Sequence, residues 1–465
     1  MSNAIRANQS PKGHWLLGHV KQLFGQPDLF MEELRGYEDI VKIRLLREPN
    51  YVITNPDMIK EVLVTKQKSF KKPKVFDKLK TFVGEGILTS DHELHKRQRG
   101  MMQPSFSRTH IQKYAEDMVD IPSHYLDDWK DGETRSIEHD MLNIALAVIT
   151  KTMFSMDVFA NYDKIGKPMD TCLHQVTKRM RAIIDLPLSV PTKDNKIYGE
   201  ALRILDEFIY DVIRERTADA EASKEDLLSV LMAARDAEDQ TGMSDKQLRD
   251  EILTIFLAGH ETTANTLTWA FYEITRHPEV LQRLQEELAS VLDGREPTLQ
   301  DYDKLGYTQN IIWEVLRLYP PAWLIGRKAT EDVEIGEYLI QQGEEVTVSP
   351  YLMHRHPKYF PEPNRFRPER FDHDMVKGIP QFAYFPFGGG ARVCIGNHFA
   401  MLEATLILAT IAQRYEFRYL EEDQQVKPEF IITLRPKGGL NMTVHSRSAA
   451  SVDVPKSTDV PSVLS

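Results

Sequence analysis

The chain of 465 residues is 42% hydrophobic and 27% charged, enough for a large core and, by length alone, for two or three domains. Its 58 basic against 69 acidic side chains leave a formal charge of −11, which disfavours a general nucleic-acid binder, while two cysteines, Cys172 and Cys394, offer no disulfide framework and suit a reducing compartment. The polar start from Met1 to Gly13 and the lack of any run of about 18 apolar residues argue against a signal peptide or membrane anchor, so a soluble, cytoplasmic protein is expected.

In chain order, a short helical stretch near Leu29 to Gly36 precedes two β-rich runs, Val41 to Leu46 and Tyr51 to Thr54, which predict a hairpin turning around Glu48-Pro49-Asn50. Between Lys60 and Arg108, twelve Lys and Arg stand against five acids, a basic stretch inside an acidic chain. For Lys66 to Lys80 a solvated face is the expectation. Beyond Gly84-Glu85-Gly86-Ile87-Leu88-Thr89-Ser90, His95 and Arg99 lie four apart and share a helix face. Residues 110–240 read mostly as helices, with apolar positions at helical spacing in Met141 to Phe154 and Leu202 to Ile213. Leu186 to Pro191 is a proline-punctuated turn and Thr217 to Lys224 a polar linker.

Ser244 with Gln247 three residues on is a capping-box start, and the helix it opens finds no stop until His277-Pro278. That is roughly 30 residues, or about 45 Å. In its middle, Ala258-Gly259-His260-Glu261-Thr262-Thr263 places a glycine and paired hydroxyls in an otherwise apolar helix, where Gly costs about 1 kcal/mol relative to Ala and Thr competes for backbone carbonyls. A helix built this way at its centre is expected to have something pressed against it. His260-Glu261 begins a zinc H-E-x-x-H pattern, but position 264 is Ala264, so that pattern is absent.

Pro278 to Leu292 reads as an amphipathic helix closed by Gly294. Tyr307 to Leu318 follows, carrying Glu314 and Arg317 three apart on one face, a spacing that recurs elsewhere in the chain and carries little alone. Glu331 to Ile340 and Glu344 to Ser349 alternate like strands. In Phe387-Gly388-Gly389-Gly390-Ala391-Arg392-Val393-Cys394-Ile395-Gly396, a cysteine stands between a glycine-rich turn and a helix start. Free backbone N–H groups and the positive end of the helix dipole both favour a thiolate there, which suits an anionic ligand on a metal. The glycines would let the loop lie flat against a large planar ligand, and Arg392 would offer a forked donor to a carboxylate on it. The alternatives are a buried cysteine acting as a small hydrophobe, and a zinc site through Cys394 and His398, which lacks further ligands nearby.

The last run matches F-x-x-G-x-R-x-C-x-G and resembles the haem-binding loop of the cytochrome P-450 family. Ala258 to Thr262 resembles that family's A-G-x-E-T, Glu314 and Arg317 its E-x-x-R, and Pro368-Glu369-Arg370-Phe371 its P-E-R-F, all in the family's order. The resemblance spans roughly residues 11–447. It implies a mainly α fold with small β-sheets, a single catalytic domain over 1–447 enclosing one haem b, and a disordered tail at 448–465.

The resemblance also implies roles. Cys394 becomes the axial thiolate in a loop that includes Phe387 and Gly388, while His95, Arg99, Arg327 and Arg392 bind the haem carboxylates. Ala258 and Gly259 leave room for O2, Thr262 hydrogen-bonds it, and Glu261 relays protons. Ile87, Leu88, Ala258, Ala322, Trp323, Leu324 and Ile432 line the substrate pocket, and Glu314, Arg317 and Arg370 form a structural ion network. The implied activity is monooxygenation of a lipophilic fatty acid, steroid or terpenoid with O2. Electrons come from a separate ferredoxin or flavodoxin with its NAD(P)H-dependent reductase, docking near Lys96 and Arg97, and a monomer is expected. The alternatives are a peroxide-using or lipid-rearranging haem-thiolate enzyme, and a non-catalytic haem sensor.

Overall fold

The computed structural model describes residues 9–156, 162–182, 185–218, 226–234, 241–372, 376–421 and 424–447. The expected tail and most of the expected polar linker lie outside the described residues. The expected mainly helical architecture with small sheets is what the chain adopts.

The element on which the rest packs is the central helix, Asp245–Arg276, 32 residues long. Its start is the predicted capping box: Ser244 Oγ accepts the Gln247 N–H at 3.3 Å, and Gln247 Oε1 accepts the Ser244 N–H at 2.9 Å. It stops at His277, ahead of Pro278. Apolar residues on nearly every side, among them Leu253, Phe256, Leu267, Trp269 and Phe271, are buried, so the helix runs through the core instead of along its edge. The Ile137–Phe154, Gly306–Leu318 and Asn397–Arg414 helices pack on it. Together they form the larger of two apolar cores.

The smaller core lies on a five-stranded sheet in the order Ile40–Leu45, Glu48–Ile53, Glu345–Val348, Ile325–Ala329, Phe70–Lys71. The first hairpin differs from expectation: it turns at Leu46 and Arg47, and Pro49 pairs opposite Arg44. Two tertiary contacts cause the shift. Leu46 N–H donates to Leu17 O at 3.2 Å, and Asn50 onward pairs in parallel with Glu345–Val348, which draws the predicted turn residues into the strand. Among the described residues no helix is long and apolar enough to cross a membrane.

The two cores leave a seam between them. Ile87, Leu88, Phe387, Ile395 and Ile432 lean on the larger core and Leu324 and Ile325 on the smaller, each only partly buried.

Candidate active site

Cys394 stands at this seam, in the turn leading into the Asn397–Arg414 helix. Its N–H donates to Phe387 O at 2.9 Å, and the Gly388 N–H donates to Phe385 O at 2.9 Å, so two backbone bonds close the loop. Two of the three loop glycines are required by protein neighbours. Gly390 has φ +68°, and a side chain there would strike Leu63 O at 1.9 Å; at Gly389 one would meet the Phe382 ring at 2.5 Å. Gly388 also has φ +73°, with its Cβ position open toward Ile325.

The Cys394 side chain has accessible surface although protein surrounds it: burial is the main influence on its thiol and raises its pKa, while the Gly396 N–H and Arg99 pull the other way. Accessible surface in such surroundings faces an internal space. Arg99 reaches the same loop, donating from Nη1 to Val393 O at 2.7 Å.

The central helix contributes a second accessible patch. Ala258 is exposed and Thr262 half-buried, one turn apart, while Leu257, His260, Glu261 and Thr263 around them are buried. Thr262 Oγ1 donates to Ala258 O. Gly259 beside them is also half-buried, with its Cβ direction toward the neighbouring helix. A Cβ there would lie 2.7 Å from Ile149 Cδ1, so this glycine permits close packing on the Ile137–Phe154 helix. Glu261 also points off the patch. Its Oε1 accepts the Thr433 hydroxyl at 2.7 Å, Oε2 has no partner, and burial pushes its pKa up to about 7. Asn265 Nδ2 donates to the same Thr433 hydroxyl at 3.3 Å.

A group of basic side chains gathers beside the cysteine loop. Lys72, His95, Arg99, Arg327 and Arg392 act on one another electrostatically, with Asp91 as the acid among them. Burial first, then Arg392 and its neighbours, push His95 down to about 3 and Arg327 to about 10, and hold Lys72 well below its ordinary value. Arg392 donates to Asp91 at 2.7 Å and to Ser90 O at 2.8 Å. Even with His95 neutral, Arg99, Arg327 and Arg392 outnumber Asp91, and a partly buried surplus of positive charge calls for further anions.

The Cytochrome P-450 family model matches residues 9–442. The chain belongs to the cytochrome P-450 family. Cyclooctatin synthase of Streptomyces melanosporofaciens is 35% identical to it, over 93% of this chain and 94% of its own length. Pentalenene oxygenase of Streptomyces avermitilis is 34% identical over 95% and 98%. Cyclooctat-9-en-7-ol 5-monooxygenase of Streptomyces melanosporofaciens is 34% identical over 87% and 88%. The protein is thus an oxidoreductase of the monooxygenase type.

Cytochromes P-450 are haem-thiolate proteins, and the residues here fit that group. An inward-facing cysteine with a Gly396 N–H on its sulfur suits an iron ligand, the cation cluster suits the two carboxylates of an iron porphyrin, and the seam between the cores is apolar. Of the remaining P-450 positions, Glu314, Arg317 and Arg370 meet as expected. Arg317 Nε lies 2.6 Å from Glu314 Oε2, Arg370 Nε 3.3 Å from Glu314 Oε1, and all three side chains are buried. Ile87, Leu88, Ala322, Leu324 and Ile432 retain accessible surface, but Trp323 does not belong with them. It is buried in the smaller core, donating from Nε1 to Ile431 O at 2.8 Å and packing edge-on against Phe430. Arg97, expected at a docking face, donates to Thr241 O and Oγ1, while Lys96 is exposed beside Glu93.

Sequence reasoning missed Lys72, placed on a solvated face, together with Asp91. Only the basic excess of Lys60 to Arg108 pointed their way. It also missed the link from Glu261 to Thr433, which had no local signal. A groove of about 660 Å³ on the outside of the Lys193–Ala218 helix, lined by Gly199, Tyr210 and charged side chains, shares no residue with this site.

Proposed function

We propose that the protein binds haem b through Cys394 and hydroxylates a C–H bond of a lipophilic terpenoid, using O2 and two electrons from a separate ferredoxin or flavodoxin. The observation that carries this reading is the inward-facing patch of Ala258 and Thr262 in a helix otherwise buried, at a seam whose other accessible walls, Ile87, Leu88, Ala322, Leu324 and Ile432, bear neither charge nor hydroxyl. Such walls favour a hydrocarbon skeleton over a fatty acid, whose carboxylate would need a partner. The names of the relatives, pentalenene oxygenase and cyclooctat-9-en-7-ol 5-monooxygenase, support the same class.

When bound, the haem supplies activation of O2 and oxidation of the substrate. The protein's own part is positioning and proton handling. The Gly396 N–H and Arg99 favour the thiolate, and the basic group around Arg99 and Arg327 would hold the carboxylates of the porphyrin. Thr262 offers the hydroxyl on the accessible patch, which donates to Ala258 O and would be the donor nearest to O2 admitted there. Glu261, with its pKa near 7, holds a proton at mildly acidic pH and releases it at mildly alkaline pH, and Thr433 keeps that carboxyl in place. The test is a binding screen on the haem-loaded protein that follows the haem absorption band. Cyclic terpenoid hydrocarbons and alcohols are expected to shift it, and a response confined to fatty acids would refute the assignment.

A further inference from the structure

His354 links the buried ion network to the cysteine loop by hydrogen bonds, through its backbone on one side and its imidazole on the other. Arg317 Nη1 donates to the carbonyl oxygen of His354 at 2.9 Å, and the imidazole of that residue accepts the Phe385 N–H on Nε2, also at 2.9 Å. Phe385 O then accepts the Gly388 N–H, and Phe387 O accepts the N–H of Cys394, each at 2.9 Å. A ladder of hydrogen bonds therefore runs from the Glu314–Arg317–Arg370 cluster to the backbone of the cysteine.

His354 is fully buried, and the Leu316 and Arg317 backbone lies close enough to its ring to act as hydrogen-bond acceptor. With Nε2 accepting, a neutral ring carries its proton on Nδ1. What the imidazole adds here is the acceptor for the Phe385 amide, which would otherwise be a buried donor without a partner. Burial, and then the Arg317 charge, hold the ring well below its ordinary pKa and so in the accepting form. Tyr384 and Phe385 pack on it with ring centres 4.7 and 5.5 Å away, which fixes the ring plane.

We propose that His354 is a positioning residue for the thiolate loop, transmitting the placement of the ion network through the Phe385 amide to Cys394. The proposal rests on the reading of Cys394 as the haem-iron ligand. Its role is to hold the cysteine amide and sulfur in the arrangement that keeps the sulfur anionic.

The test compares His354→Gln with His354→Met in the haem-loaded protein. The two side chains have the same length, but only glutamine carries an amide oxygen where Nε2 now accepts. Two quantities are read: the rate at which the reduced carbon monoxide complex loses its thiolate-type absorption band, and the haem reduction potential. Methionine is expected to speed loss of the band about tenfold, the factor set by one buried hydrogen bond, and to shift the potential; glutamine is expected to stay within about twofold of the parent. Equal behaviour of the two variants, in either direction, would overturn the proposal, because packing alone would then account for His354. If the methionine variant does not retain haem, His354→Leu takes its place against glutamine under the same criterion. A parent protein that shows no thiolate-type band would instead overturn the ligand reading of Cys394.

Discussion

A carboxyl group buried with one of its oxygens unpartnered is relieved by taking up a proton, and three such groups attend the central helix. Glu251 Oε2 accepts the Ile87 N–H at 2.9 Å, Glu403 Oε2 accepts the Thr263 hydroxyl at 2.8 Å, and Glu261 is held by Thr433; the second oxygen of each is without a partner. Burial raises Glu251 and Glu403 from 4.5 to about 8 and Glu261 from 4.5 to about 7. The folded state therefore binds more protons than the unfolded chain between those values, and its stability falls as pH rises through them. Glu403→Gln keeps an oxygen for Thr263 and removes the titration. This variant is expected to match the parent near pH 5 and to exceed it by at least about 1 kcal/mol near pH 9, measured by thermal unfolding across pH. Parallel stability curves for the two proteins would mean that Glu403 is already ionised in the fold.

At the scale of elements, the contact between the central helix and the Ile137–Phe154 helix decides what Gly259 is for. Alanine in place of Gly259 gains about 1 kcal/mol of helix propensity, whereas its methyl group, 2.7 Å from Ile149 Cδ1 and 2.8 Å from Cγ1, adds an overpacking penalty of about 1–3 kcal/mol. Gly259→Ala is expected to destabilise the parent by up to about 2 kcal/mol and to stabilise an Ile149→Ala background, where the space is open. A double-mutant cycle from chemical denaturation checks the sign change. Additive effects would show that the glycine answers to something other than Ile149.

Over the whole molecule, the site depends on two cores meeting along one seam, and Glu314 binds together segments far apart in the chain. It accepts two bonds from Arg317 at 2.6 and 2.8 Å, one from Arg370 at 3.3 Å and the Arg367 N–H at 2.8 Å, while Arg317 also caps the carbonyls of His354, Pro363 and Arg365. Neutralising the carboxylate strands two guanidinium groups in the interior. Glu314→Gln is expected to lose about 3–5 kcal/mol, seen as a lower urea midpoint with an unchanged slope. A loss below about 1 kcal/mol would mean that water or backbone carbonyls already screen the pair.

Much of this protein is legible from the sequence because it depends on local spacing. The capping box at Ser244, the stop at His277-Pro278, the cysteine between a glycine turn and a helix, and the pairing of Glu314 with Arg317 each follow from residues within a turn or two of one another. Only tertiary structure decided that Lys72 joins a buried cation cluster, that Arg392 is taken by Asp91, that Trp323 is core, that Gly259 serves Ile149, and that His354 bridges Arg317 and Phe385. The physical reason is that a polar group's desolvation, and the partner that compensates it, are set by chain segments distant in sequence, and local periodicity carries no record of which segment arrives.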